Sequence, residues 1–315
     1  MNADIKNKKT RINIMVRDFK KNKTLLLLAF PMILYVFIFK YIPMFGIIIA
    51  FKNFKYNLGF FKSPWVGFKN FQFFFTSPDA WLVTRNTVGY NLVFITLGII
   101  VQVGVAILLF EIASRKLHKI YQTLMFIPHL LSWVVVAYMA YAFLSPSGGM
   151  LNRWLSFFNI EPVDWYITPK PWIFIFPIAN MWHGLGMGAL MYYAKLMGIN
   201  NEYFEAAEIE GASKWQITKN ITLPFLYSLI IMLTILAIGR IFDGDFGLFY
   251  QLPMGSPMLR KTTDIIDTYV YRALVDVGNV GIASALGLYR SLMGMILVIV
   301  TNMIVRKIDE ENALF

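Results

Sequence analysis

The sequence predicts an all-α integral membrane protein of about six transmembrane helices. Three observations carry that expectation. Of 315 residues, 57% are hydrophobic and 15% charged, where a soluble chain carries charge on about a quarter of its residues. Uncharged runs of twenty or so residues recur along the chain, each long enough to cross ~30 Å of hydrocarbon at about 1.5 Å per residue. Basic residues gather in the N-terminal tail and in short stretches between those runs, as the positive-inside rule requires.

Taken in order, the chain opens on a basic tail, residues 1–23, with eight Lys or Arg between Lys6 and Lys23. The apolar run that follows, Thr24 to Phe51, exceeds a secretory signal core of roughly 7–15 residues, and no small-residue cleavage pattern comes after it. It is expected to be a retained first span, 24–50, interrupted by Lys40 and Pro43. Val88 to Phe110 has no charged residue and makes the second span, 88–110. The third, 121–144, is uncharged if His129 is neutral. Trp172 to Ala194 is the fourth, 172–194. The fifth is apolar from Ile221 to Gly239 and closes by residue 242, giving 221–242. The sixth, Gly281 to Val305 (281–305), contains Arg290, and a short tail, 306–315, ends the chain.

Charge sets the expected orientation. The basic tail is placed in the cytoplasm, and alternation then puts Ser114 to Lys119, the loop around Lys195 to Lys219, and Arg306 with Lys307 on the same side. Both termini are therefore expected to be cytoplasmic. The loops 51–87, 145–171 and 243–280 fall outside. The first of these strains the rule with Lys52, Lys55, Lys62, Lys69 and Arg85. Trp65, Trp154, Trp165 and Tyr166 enrich these outer loops in aromatics, fitting either an interfacial belt or a docking surface for an extracytoplasmic partner.

Several chemistries find no support. The chain has no cysteine, which excludes disulfides and thiolate chemistry. His118, His129 and His183 lie on different segments without metal-ligand spacing, and no His-Glu-x-x-His helix, nucleophile elbow or phosphate-binding loop occurs. No catalytic residue, metal site or cofactor of its own is expected. The net charge of +11 suits membrane topology better than a nucleic-acid face, so the expected surroundings are lipid. Gly184-Leu-Gly-Met-Gly188 falls mid-span, and Gly184 with Gly188 reads as a small-residue face for helix packing.

One segment points to function. Between spans four and five runs Glu205-Ala-Ala-Glu-Ile-Glu-Gly211-Ala-Ser-Lys-Trp-Gln-Ile-Thr-Lys-Asn-Ile221-Thr-Leu-Pro224. It reads as two short helices joined at Gly211, the first capped by Asn200 or Asn201, with Tyr203, Ala206, Ala207 and Ile209 on its apolar side. Trp215 and Ile217 would anchor the second, and Pro224 would open the next span without needing its missing N–H. This stretch resembles the EAA loop of binding-protein-dependent ABC transporter permeases: Glu-Ala-Ala, three residues, Gly-Ala, then Ile-x-Leu-Pro. Glu210 stands where that family more often has Asp. The resemblance implies that the loop, residues 197–224, is a cytoplasmic coupling element. It would dock on an ATPase through Glu205, Ala206, Ala207, Glu210, Gly211, Ala212, Ile221, Leu223 and Pro224.

Further stretches extend the resemblance along nearly the whole chain. Trp65-Val-Gly-Phe-Lys-Asn-Phe71 with Asn86-Thr87 is similar to sugar permeases of the maltose-transporter type. Asp245 to Gln251, Thr263 to Arg272 and the ending Val305 to Phe315 resemble the LplB-like oligosaccharide and polysaccharide permeases among them. That kinship implies a carbohydrate importer in a bacterial cell membrane. It would contain a second, related permease, two ATPase subunits that bind ATP and Mg, and an extracytoplasmic solute-binding protein, typically a lipoprotein.

A sugar path needs polar groups at membrane depth, where charge is costly and tends to face a cavity or partner. Arg240 and Arg290 are the candidates, with Asp243, Asp245 and Tyr250 just beyond Arg240. Snorkelling of Arg240 and a turn at Asp243-Gly-Asp245 are the plainer alternatives. The rival function is a secondary transporter driven by an ion gradient, which would place acidic residues mid-span or break helices in matched halves. No span holds a mid-membrane Asp or Glu.

Overall fold

The computed structural model describes residues 21–112 and 114–314, so the basic tail lies largely outside it. Five continuous helices are long and apolar enough to cross a membrane. They are α1 (Lys23–Phe51), α2 (Asp79–Phe110), α5 (Trp172–Leu196), α7 (Lys214–Gly239) and α9 (Val280–Ile308). A sixth candidate crossing is the pair α3 (Lys116–Leu130) and α4 (Trp133–Leu144), long and apolar enough only together and bent by 98° between them. The shorter α6 (Glu202–Ile209) and α8 (Ile266–Val275) lie between spans. Among the described residues the sole β pairing is one bridge, Lys52 with Trp65.

The stretch expected as a continuous third span is therefore sharply bent at residues 131–132. Pro128 denies the helix a hydrogen bond and crowds the preceding turn, and residues 127–130 tighten to a 3-10 turn. Ser132 then starts α4 with its hydroxyl accepting from the Val135 N–H at 3.4 Å. A second correction concerns α2, which begins at Asp79, nine residues before the uncharged run. Arg85, Asn86 and Thr87, expected in a loop, occupy its early turns, because a helix can rise beyond the hydrocarbon where water and protein satisfy polar side chains. The fifth span closes at Gly239, with Arg240 as its exposed cap.

α2 and α5 make the most extensive pairing. The glycines of α5 explain part of its fit, though not as the sequence suggested. A Cβ on Gly184 would meet nothing within 4 Å, whereas one on Gly186 would sit 2.1 Å from the Met125 carbonyl oxygen. A Cβ on Gly188 would strike the Gln102 side chain. Gly186 is thus where α5 presses its backbone against α3, a close approach that only a missing side chain permits.

Three apolar clusters divide the molecule. One gathers Tyr90, Trp172, Phe176, Phe249 and Leu252, and a second Phe74, Val83, Phe242, Ile266 and Leu286. The third, toward the opposite end of α2 and α5, holds Ala106, Tyr192, Leu196 and Leu226. The three long loops expected to share a side do meet. Ser256 donates to the Tyr166 carbonyl at 2.7 Å, Thr262 to that of Pro169 at 3.1 Å, and Asn86 to that of Lys261 at 3.2 Å. Lys52, one of the basic residues that strained the charge rule, is 4% exposed and donates to the Phe60 and Phe61 carbonyls. The C-terminal tail folds back rather than trailing, the Leu314 N–H reaching Asn302 Oδ1 at 2.7 Å.

Candidate functional site

The first expected helical piece forms as α6, and the second is the opening turn of α7, Lys214–Ile217, continuous with the helix that follows. Glu202 N–H donates to Asn200 Oδ1 at 3.2 Å, so Asn200 rather than Asn201 caps α6 through its side chain. Gly211 has φ of +79° and nothing within 4 Å of a would-be Cβ. Its requirement is therefore conformational and not spatial, since a residue with Cβ resists that region. Ser213 and Gln216 then close a reciprocal capping box, which fixes the restart of the helix. A wider turn at Thr218–Thr222 leads into the membrane-spanning part of α7, with Pro224 in its first turn.

The faces of α6 differ from the expected ones. Phe204 and Ala207 turn inward and are half-buried, while Tyr203, Glu205, Ala206, Ile209 and Glu210 are exposed. Ile209 is 88% exposed and Trp215 beyond the turn 72%. Gly211 is exposed and Ala212 half-buried, and Ile221 and Leu223 are half-buried at the entry to α7, with Pro224 exposed. The loop thus presents an uncovered apolar and acidic surface with small residues at its centre.

At the other end of the bundle, Asn86-Thr87 and Thr263-to-Arg272 bind one another. Asn86 Nδ2 donates to the Asp264 carbonyl at 2.9 Å, and the Ile266 N–H donates to Thr87 Oγ1 at 2.9 Å. Arg272 grips Asp264 with two hydrogen bonds of 2.5 Å each, and Thr268 donates to the same carboxylate at 2.7 Å. Asp264 is 4% exposed. Burial alone would lower the Arg272 pKa, but the hydrogen bonds and charge of Asp264 raise it instead.

The candidate path residues fall into three groups. Arg290 bonds Asp243 at 2.9 Å and also Asp267, whose other oxygen accepts from the Gly244 N–H at 2.6 Å. Asp245 accepts from the Trp133 indole at 2.7 Å, just where the third span breaks. Trp133 stacks on His183 at 4.3 Å, and His183 Nε2 lies 3.0 Å from the Leu131 carbonyl. A carbonyl only accepts, so that nitrogen carries the proton, sealing a backbone group the break would leave unpaired. Tyr250 lies 4.9 Å from the rings of both Phe246 and Tyr271, and its pKa is raised by the hydrogen bond to Tyr271 and by burial. Arg240 stands apart.

Sequence reading missed Asp267, Trp133 and the sealing role of His183. Pro128-His129 and Ser132 inside an apolar run were the available signal for the last two. Since Arg290 serves two carboxylates, Arg290→Leu is expected to lower assembly as well as transport. The loss of charge-assisted hydrogen bonds is worth about 1.5–3 kcal/mol. Size-exclusion profiles and thermal stability of the extracted protein check this; a stable, monodisperse Arg290→Leu protein would contradict it.

The sequence pattern of binding-protein-dependent transport system inner membrane components matches residues 95–310. Protein LplB of Bacillus subtilis (strain 168) is 34% identical over 294 residues, covering 93% of this chain and 92% of that protein. The polygalacturonan/rhamnogalacturonan transport system permease protein YteP of the same organism is 32% identical, covering 99% of this chain and 96% of its own. The crystal structure of a bacterial alginate ABC transporter in complex with an alginate pentasaccharide-bound periplasmic protein includes a similar chain. Its TM-score is 0.83 at 29% identity, with 93% of this chain and 97% of that one covered. With two thirds of its length inside that pattern and 93% of it matched to one chain of a solved transporter, this chain belongs to the binding-protein-dependent transport system inner membrane components.

Proposed function

We propose that this chain is the permease subunit of an ATP-driven carbohydrate importer in a bacterial cell membrane, powered by separate ATPase subunits that seat on α6. The observation that carries the coupling role is the exposed surface of Tyr203, Glu205, Ala206 and Ile209, held rigidly by the Gly211 turn and the Ser213 capping box. A small-residue face allows close approach, and the carboxylates suit basic groups on a partner. Carbohydrate as the cargo class is supported by relatives named for polygalacturonan and for alginate transport. A solute-binding protein as partner is supported by the periplasmic protein in the alginate transporter complex. ATP and Mg belong to the ATPase partners in this reading.

A second permease is supported by α1. Residues Lys23–Val36 include no buried side chain, and the extensive packing on α9 is made by the far end, Phe45–Phe51. Leu27, Leu28 and Phe30 are more than half exposed, a surface that lipid or another subunit must cover. The orientation with both termini cytoplasmic follows from charge, and α6 then faces the cytoplasm. For the path, Asp245 with Trp133 at the broken span and the ring cluster at Tyr250 offer the hydrogen bonds and flat apolar faces that sugars need. Arg240, Asp243 and Arg290 would set charge beside them. The ion-gradient rival asks for breaks in matched halves; one break of that kind occurs among the described residues.

The test is Gly211→Val. At φ of +79° a β-branched residue costs roughly 1–3 kcal/mol, which the exposed turn can escape only by changing shape. The variant is expected to reach the membrane at normal level yet lose its ATPase on co-purification. Retained ATPase with normal coupling would refute the docking role.

A further inference from the structure

The loop that carries α6 is joined covalently to α5 and α7, but its inward face rests on a different helix. Phe204 meets Phe110 at the end of α2 with ring centroids 5.4 Å apart, and Lys214 lies 3.7 Å from Glu111, the next residue. A small cavity of about 190 Å³ separates these contacts, lined by Ile107, Asn201, Glu208, Ile217, Thr218 and Thr222.

α2 continues from there for 32 residues, about 48 Å at the usual rise. Its sequence contains no proline, and no wider or tighter turn interrupts it, so a push at one end is not absorbed by a kink. At the far end Asn86, Thr87 and Asn91 hold the loop after α7. Asn91 Nδ2 donates to the carbonyls of Ile241 and Asp243, each at 2.9 Å, and Asn86 and Thr87 fix Lys261, Asp264 and Ile266. That loop carries the Asp264–Arg272 pair, the carboxylates Asp243 and Asp267 that hold Arg290 of α9, and one wall of a cavity of about 530 Å³ lined by Asp79, Arg260, Lys261, Tyr269 and Arg272.

We infer that α2 is the connecting rod of this permease, with Phe110 and Phe204 as its cytoplasmic joint and Asn86, Thr87 and Asn91 as its outer one. Movement of α6 on its ATPase reaches the outer loop through a helix the coupling loop touches but does not adjoin in sequence. The inference rests on the docking reading above. Phe110 and Phe204 are positioning residues: they touch neither nucleotide nor sugar, and they act through α2.

The chain has no cysteine, so Lys261→Cys gives one reporter thiol in the outer cavity while keeping the backbone carbonyl that Asn86 binds. Its labelling by a membrane-impermeant maleimide is followed on the complex purified from its membrane, without nucleotide and after trapping with ATP and vanadate. The two rates should differ by about fivefold or more, the lower end of usual site-to-site coupling. With Phe110→Ala the difference should collapse to within about twofold while the ATPase stays bound. Phe204→Ala should do the same, and the double variant should be no worse than either, as two halves of one contact require. A complex with bound ATPase but no nucleotide effect, or a full effect in both alanine variants, would overturn the rod alone. A parent chain that retains no ATPase would overturn the docking reading and the rod with it.

Discussion

Gly186→Val is expected to abolish the folded permease. The Cβ would lie 2.1 Å from the Met125 carbonyl oxygen, 2.5 Å from its carbonyl carbon and 2.8 Å from the Phe126 nitrogen. These are backbone atoms of α3 just before its break, so no rotamer change makes room. Overpacking of a tight site costs about 1–3 kcal/mol, and here the backbone must move, which places the effect at the upper end. Because α5 also pairs with α2, parting α5 from α3 should disturb the Trp133–His183 stack as well. Gly184→Val is the matched control: a Cβ there meets nothing within 4 Å, and its assembly should be retained. Monodisperse extraction of both variants distinguishes them. Equal loss in the two, or none in Gly186→Val, would show that the α3–α5 contact does not depend on that glycine.

Asp264→Ala should be nearly as damaging. Its side chain is 5% exposed and that of Arg272 20%, and the two share a bidentate bond that Thr268 supports. Removing the carboxylate strands a guanidinium left with the Tyr269 ring, 5.7 Å away, and the weaker charge interactions of Asp79 and Asp276. Breaking one side of a buried pair costs about 3–5 kcal/mol, whereas replacing both sides can be far milder. The double variant Asp264→Ala/Arg272→Ala should therefore be more stable than the sum of the singles by an interaction energy of roughly 1–3 kcal/mol. Arg272→Lys should not rescue, since an ammonium cannot offer the forked donors. Thermal unfolding of the extracted chains reads all four; additive losses would remove the pair from the account of the outer loop.

The spans were legible because charge is scarce: Val88 to Phe110 and Trp172 to Ala194 can hardly be anything but membrane helices. Their ends were less so. α2 starts at Asp79 because a helix outlasts the hydrocarbon when Asn86 and Thr87 find partners in a loop 178 residues away, and hydropathy cannot register such partners. The break between α3 and α4 was hidden by apolar residues on both sides, although Pro128 and His129 marked it. On α6, eight residues are too few for periodicity to fix which face is buried. Tyr203, Ala206 and Ile209 therefore group with Ala207 on one apolar side by sequence, whereas Phe204 joins Ala207 on the half-buried face. Arg290 was conspicuous by depth, but its partner Asp267 lies in a stretch whose pattern resembles a polar surface turn. Gly211 and Pro224 were the most readable features, because each has a backbone reason that sequence alone expresses.

The central claim is that α6 seats an ATPase whose hydrolysis drives carbohydrate import, and one measurement addresses it directly. The chain is tagged and purified from its own membrane, the co-purifying proteins are identified, and ATP hydrolysis is followed with and without glycans and their binding protein. A bound ATPase, a second permease and a hydrolysis rate that rises with glycan are predicted. A chain that purifies without ATPase and moves solute down an ion gradient would contradict the account.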